Sequence, residues 1–156
     1  MLTTFDLSDK LRGELALGYG LENYEDGALP NLDGFTVNGS LAWSPEQLTT
    51  ITATAETQLN GASGLGDAGS ITYATALQAE RRVRSNLSVN GRLGAAWRDY
   101  ESGREDTTWQ AQLGATWYFN RTWALIGQLG YERVDSTDAA STYDAATARL
   151  GLRFQR

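Results

Sequence analysis

The sequence predicts an all-β fold, an eight-stranded antiparallel up-and-down β-barrel of transmembrane type, and three observations carry that prediction. Apolar residues recur at every second position along eight segments, the period of a strand with one apolar face. Several of these segments reach the length of about 9 to 11 residues that a tilted strand needs to cross a bilayer, whereas strands of ordinary sheets average about five or six. The large aromatic residues of the apolar face gather near the segment ends and leave an aliphatic middle.

The first segment, residues 11 to 22, sets Leu11, Gly13, Leu15, Leu17, Tyr19 and Leu21 against Arg12, Glu14, Ala16, Gly18, Gly20 and Glu22. Successive side chains on opposite faces are a property of extended backbone. The pattern returns with Phe35, Val37, Gly39, Leu41 and Trp43, and then with Ile51, Ala53, Ala55 and Leu59. It continues with Ile71, Tyr73, Leu77 and Ala79, and with Leu87, Val89, Leu93, Ala95 and Trp97. Three more segments follow, Trp109 to Phe119, Trp123 to Tyr131 and Ala146 to Phe154.

Two kinds of connection alternate. Short ones centre on Pro45-Glu46-Gln47, Arg82-Val83-Arg84 and Asn120-Arg121, about 38 residues apart, so the hairpin is an internal repeat. Longer polar ones lie near residues 23 to 33, 60 to 69, 99 to 106 and 134 to 144. In a meander, strict alternation collects the short turns at one end, expected to be periplasmic, and the long loops at the other, expected to lie outside.

A chain of 156 residues suits one domain, here 1–156, with residues 1–10 read as an N-terminal lead-in. The opening MLTTFDLSDK lacks the basic and then apolar pattern of a signal peptide. Export would therefore mean that a signal has been removed and that Met1 is not the native start. No apolar run approaches the roughly 18 residues of a membrane-spanning helix. The formal charge of -6 disfavours nucleic acid as a partner. With no Cys there is neither disulfide nor thiol chemistry, and with no His the common general base is missing too. A non-enzymatic protein is expected, with no catalytic residues, no cofactor and no metal site.

Two aromatic girdles are expected. Trp43, Trp117, Phe119, Trp123 and Phe154 lie beside the short turns, and Tyr19, Phe35, Tyr73, Trp97, Trp109 and Tyr131 toward the long loops. Aromatic belts of this kind mark the two interfaces of a lipid-facing wall, because Trp and Tyr rings sit best at headgroup level. Membrane lipid, including outer-membrane lipopolysaccharide, is the expected partner, and a monomer the expected state, with a larger assembly as the other possibility. A soluble lipocalin-like barrel also has eight alternating strands, with the apolar face turned inward onto a lipophilic ligand. The clustering of aromatics at strand ends and the few charges on the polar face point to the membrane instead.

Turned inward, the polar face would hold a lumen charge network of Arg12, Glu14, Glu56, Arg92, Arg98, Glu132, Arg149 and Arg153, beside Glu22 and Glu80. Unpaired charges in a narrow lumen are costly, so ion pairs of Arg92, Arg149 and Arg153 with Glu14 and Glu56 are expected. These charges either plug the lumen or select ions. Around the long loops lie Glu25, Asp26, Asp33, Asp67, Glu101, Glu105, Asp106, Asp135, Asp138 and Asp144, while Arg81, Arg82, Arg84 and Arg121 lie at the short turns. The acidic rim is either a solvated surface or a place for divalent cations that bridge to lipopolysaccharide.

The stretches "LAWSPEQLTTITATAETQL" (41 to 59), "RDYESGREDTTWQAQLGATWYFNRTWALIGQLGYERVDST" (98 to 137) and "TARLGLRFQR" (147 to 156) resemble the type 2 β-barrel porin family of Gram-negative bacterial outer membranes. The shared elements are the turn Trp43-Ser44-Pro45, the stretch from Tyr100 to Asp106 and the turn from Tyr118 to Arg121. Members are usually much longer, so the chain is similar to the C-terminal part of one. They normally end on an aromatic, whereas Phe154 is followed here by Gln155 and Arg156. The resemblance implies a transport or export-associated barrel, sometimes linked to exopolysaccharide secretion, with no catalytic residues to carry over. Two functions remain open: a plugged eight-stranded scaffold that presents its loops, or a segment or protomer of a larger solute- or polysaccharide-transporting porin.

Overall fold

In the computed structural model, which describes residues 2–22, 32–60 and 69–155, the alternating segments form one antiparallel sheet. The strands are β1 Leu2–Ser8, β2 Leu11–Glu22, β3 Leu32–Glu46, β4 Thr49–Asn60, β5 Ser70–Arg84, β6 Leu87–Tyr100, β7 Glu105–Tyr118, β8 Trp123–Ser136 and β9 Tyr143–Phe154. Each pairs with the next in sequence order. All eight expected strands are present as β2 to β9, and the segment read as a lead-in supplies a further strand, β1.

The register joins the apolar positions into continuous rows. One row runs Leu41, Ala53, Leu77, Leu93, Ala111, Tyr131 and Ala146 across β3 to β9. On the opposite face a row runs Arg12, Ala42, Thr52, Gln78, Arg92, Gln112, Gly130 and Thr147. A slip of one residue at any strand would mix the two faces.

Two of the expected short turns lie about two residues beyond their centres, at Gln47-Leu48 and Ser85-Asn86, and a further short turn passes through Asp9-Lys10. Before each, the incoming strand carries one residue more than its partner, between Asp6 and Ser8, Trp43 and Glu46, and Arg82 and Arg84. A bulge of this kind absorbs a residue and strengthens the local twist. At the fourth turn the Asn120 side chain accepts from the Thr122 and Trp123 amides, at 2.8 and 2.9 Å, an Asx turn that reverses the chain.

At the other end, the loop expected over 99 to 106 is a tight connection between Tyr100 and Glu105. Gly103 makes it possible: its φ of 80° is a conformation that side chains resist. Between Ser136 and Tyr143 the chain makes a short 3-10 turn, Ala139–Ser141, capped by the Asp138 carboxylate on the Ala140 amide at 3.1 Å. The loops expected near 23 to 33 and 60 to 69 lie mostly outside the described residues, as do Glu25, Asp26 and Asp67.

Among the described residues β1 and β9 are the two edges of the sheet and do not pair with each other. The expected closed barrel is therefore corrected to an open sheet. With nine strands in an antiparallel meander, both edges run in the same direction. A seam between β1 and β9 would be parallel, whereas one between β2 and β9 would be antiparallel.

The ladder between β3 and β4 ends at Asn38 and Glu56. Beyond it the Thr57 hydroxyl accepts the Val37 amide at 3.0 Å, replacing a ladder carbonyl. Leu59 and Ile71 fill the opening beneath two glycines. A Cβ on Gly20 would lie 2.9 Å from Leu59 Cδ2, and one on Gly34 2.8 Å from Ile71 Cδ1.

A single layer leaves little interior. Among the described residues the buried apolar side chains are Ala124 and Val134, and no large side chain is fully enclosed. Leu93, Leu113, Leu129 and Leu150 stand in the middle of the apolar face, exposed by 62, 67, 61 and 78%. Soluble monomers rarely expose continuous apolar patches beyond a few hundred Å², so this face calls for an apolar neighbour.

Candidate functional site

The apolar face follows directly from the alternation. Its aromatic residues form two rows separated by aliphatic and small residues. Beside the short turns, Trp117 and Phe119 lie with ring centroids 4.8 Å apart, and Trp123 meets Phe154 edge-on at 5.0 Å. Trp43, on the same face, pairs in register with Leu11 and Ile51. Toward the loops Tyr73 stacks on Trp97 at 6.0 Å, Tyr19 stands opposite Phe35, and Trp109 and Tyr131 continue the row on β7 and β8. Between the rows, Gly39, Ala55 and Ala95 form the floor of a shallow apolar groove of about 750 Å³.

The polar face holds the predicted charges, and the structure groups them by height. Arg12 and Arg92 share one row, Glu14 and Glu132 the next, and Glu56 the one beyond, toward the loops. Arg149 lies in the row of Glu80 and Asn90, with Arg153 nearest the short turns. Glu56 and Arg92 line one cavity of about 250 Å³ without an ion pair, and the Glu56 carboxylate accepts from Gln58 at 2.8 Å. Among the described residues no ion pair joins Arg92, Arg149 or Arg153 to Glu14 or Glu56. Glu14 stands near one edge of the open sheet and the two β9 arginines on the other, so the fold does not bring them together. The Glu22 side chain lies outside the described residues.

The ion pairs that do form lie toward the ends of the sheet: Arg81 with Glu46 at 3.6 Å, Arg133 with Asp135 at 2.9 Å, and Arg104 with Asp106. The last anchors a cavity of about 580 Å³ on the loop end of the polar face. The Arg104 guanidinium sits over the Tyr100 ring at 4.7 Å and donates two hydrogen bonds to the Asp106 carboxylate, one of 2.9 Å. These bonds hold the Asp106 carboxyl, which lies on the loop side of the Trp109 row, down at about 2. Arg98 donates to Thr72 at 3.0 Å and to the Tyr100 hydroxyl at 3.3 Å. Across the cavity, Glu132 accepts from Gln110 and from the Tyr143 hydroxyl, both at 2.8 Å.

Tyr100, Arg104, Gln110 and Tyr143 thus belong to the polar site although the sequence reading gave them no site role. For Tyr100 and Gln110 the signal was their even position in strands whose odd positions are apolar. Among the described residues no three acidic side chains group into a metal site.

The amino-acid sequence matches the family described as "Putative beta-barrel porin 2" over residues 3–156. The chain belongs to this β-barrel porin family. A search of curated proteins returns no match. For a β-barrel porin the partition seen here has a direct meaning: such a wall needs one face suited to hydrocarbon and another suited to water. The resemblance drawn from Trp43-Ser44-Pro45, Tyr100 to Asp106 and Tyr118 to Arg121 thus extends over essentially the whole porin-family chain.

Proposed function

We propose that this chain forms the wall of a non-enzymatic, porin-type β-barrel in the bacterial outer membrane, with its polar face lining a water-filled path for solutes. The observation that supports this reading most is the register, which gathers every leucine of the mid-sheet rows on one face and Arg12, Glu14, Glu56, Arg92, Glu132 and Arg149 on the other. Lipid meets the aliphatic band, headgroups and lipopolysaccharide meet the aromatic rows, the short turns face the periplasm and the loops face outward. Closure in hydrocarbon is obligatory, because an open edge would leave backbone donors and acceptors without partners. Two copies that share their edges would close into a wider barrel around the cavities of the polar face.

The direction of the strands favours a second reading. β2 and β9 run antiparallel, the pairing of every other seam, so β1 could give way to β9 and leave an eight-stranded barrel plugged by its own side chains. Arg149 and Arg153 would then approach Glu14. Planar-bilayer conductance, with a mass determination in the same detergent, separates the two. Discrete, stable steps from an assembly larger than one chain support the pore. A silent bilayer containing inserted monomer overturns it in favour of the plugged barrel.

A further inference from the structure

A cavity of about 510 Å³ opens on the polar face at the short-turn end. Two guanidinium groups line it, Arg82 from β5 and Arg153 from β9, together with the uncharged polar side chains of Ser88, Asn90, Thr116 and Tyr118. The one carboxylate in its wall is that of Glu80. A flat sheet would hold β5 and β9 about 19 Å apart, so the sheet bends toward its polar face here and turns both arginines on one space. Among the described residues neither Arg82 nor Arg153 has a carboxylate within ion-pair distance. This sets them apart from Arg81, Arg104 and Arg133, each of which has one.

We infer that this cavity binds a phosphate-class oxyanion, held between Arg82 and Arg153. The chemistry of the donors selects the class. Each guanidinium offers a planar fork suited to two oxygens of one anion. The hydroxyl and amide groups around them supply further donors, which a tetrahedral oxyanion with several acceptor oxygens uses better than a halide does. An anion also completes the electrostatics, because two guanidinium groups and the single Glu80 carboxylate leave the cavity with a net positive charge. The site rests on the proposed function in one respect, that the polar face is open to water.

Isothermal titration of inorganic phosphate into the chain refolded in maltoside micelles tests the inference, with chloride as the comparison anion. Saturable phosphate binding is expected, weakened about tenfold or more in Arg82→Gln and in Arg153→Gln, while equimolar chloride fails to compete. Circular dichroism of each variant shows that the sheet is retained, and Arg84→Gln, at the same end but outside the cavity wall, should bind as the parent does. Doping the micelles with phosphatidylglycerol distinguishes the source of the phosphate. Unchanged affinity assigns the site to a dissolved anion, and competition by the lipid overturns that assignment. Absence of saturable binding, or equal binding by all three variants and the parent, overturns the inference. Phosphate binding without conductance would leave the site standing and remove the pore.

Discussion

Arg98 and Asp106 stand directly opposite each other across β6 and β7, yet the Asp106 carboxylate is held by Arg104, two residues away along its own chain. Arg98 turns instead to Thr72 and Tyr100. The tight turn through Gly103 carries Arg104 back over the Tyr100 ring and within reach of Asp106. The loop end of the polar face is therefore organised by a local pair, and Arg98 remains directed into the cavity.

This pair makes stability at the loop end depend on pH in the acid range. The Asp106 carboxyl is lowered from 3.8 to about 2, first by its hydrogen bond from Arg104. A lowered carboxyl pKa contributes stability above the unfolded value that is lost as pH falls through the folded one. The contribution is therefore complete above about pH 5 and lost between pH 4 and 2, on the order of 1 kcal/mol after allowance for solvent screening. Urea unfolding in micelles from pH 6 to 2 should show this drop, and Asp106→Asn should flatten it.

On the apolar face, Leu113 lies midway between Trp109 and Trp117 on β7. Leu113→Arg should destabilise the protein in a bilayer by about 2 to 4 kcal/mol, the cost of a cation at the membrane midplane. Gln110→Arg, on the polar face of the same strand and directly opposite Glu132, should cost less than about 1 kcal/mol. Reversible urea unfolding in phospholipid vesicles measures both, and equal costs would contradict the assignment of the faces.

Across the gap between β3 and β4 the Thr57 hydroxyl holds the Val37 amide. Thr57→Val keeps the shape but leaves the Val37 amide without its acceptor, a loss of about 1 to 3 kcal/mol. Amide exchange at Val37 should accelerate while exchange at Leu41, within the intact ladder, stays slow.

Period-two alternation was sufficient to find β2 to β9, because one apolar face is continuous and any other register would break it. It was insufficient for β1. Leu2 to Ser8 is short and sets Thr3 in phase with Phe5 and Leu7, and Leu2 in phase with Thr4 and Asp6, so alternation there is weak. The repeat held the missing signal: Asp9, Gln47 and Ser85 are 38 residues apart, which puts a turn inside the supposed lead-in. Closure was not legible, since alternation along a strand is the same in eight strands or in eighteen. The ion pairs expected of Arg149 and Arg153 with Glu14 assumed that closure, and among the described residues they do not form in the open sheet. At the loop end Arg104 and Arg133 instead found acids two residues away, a spacing that keeps both side chains on one face of a strand.

The central claim, that the apolar face meets lipid and the polar face meets water, is tested most directly by spin labels placed one at a time from 109 to 117 on β7 in phospholipid vesicles. Oxygen, which concentrates in hydrocarbon, should relax labels at 109, 111, 113, 115 and 117, most strongly at 113. A water-soluble nickel chelate should relax those at 110, 112, 114 and 116. The reverse phase, or equal access of both reagents along the strand, would contradict the account.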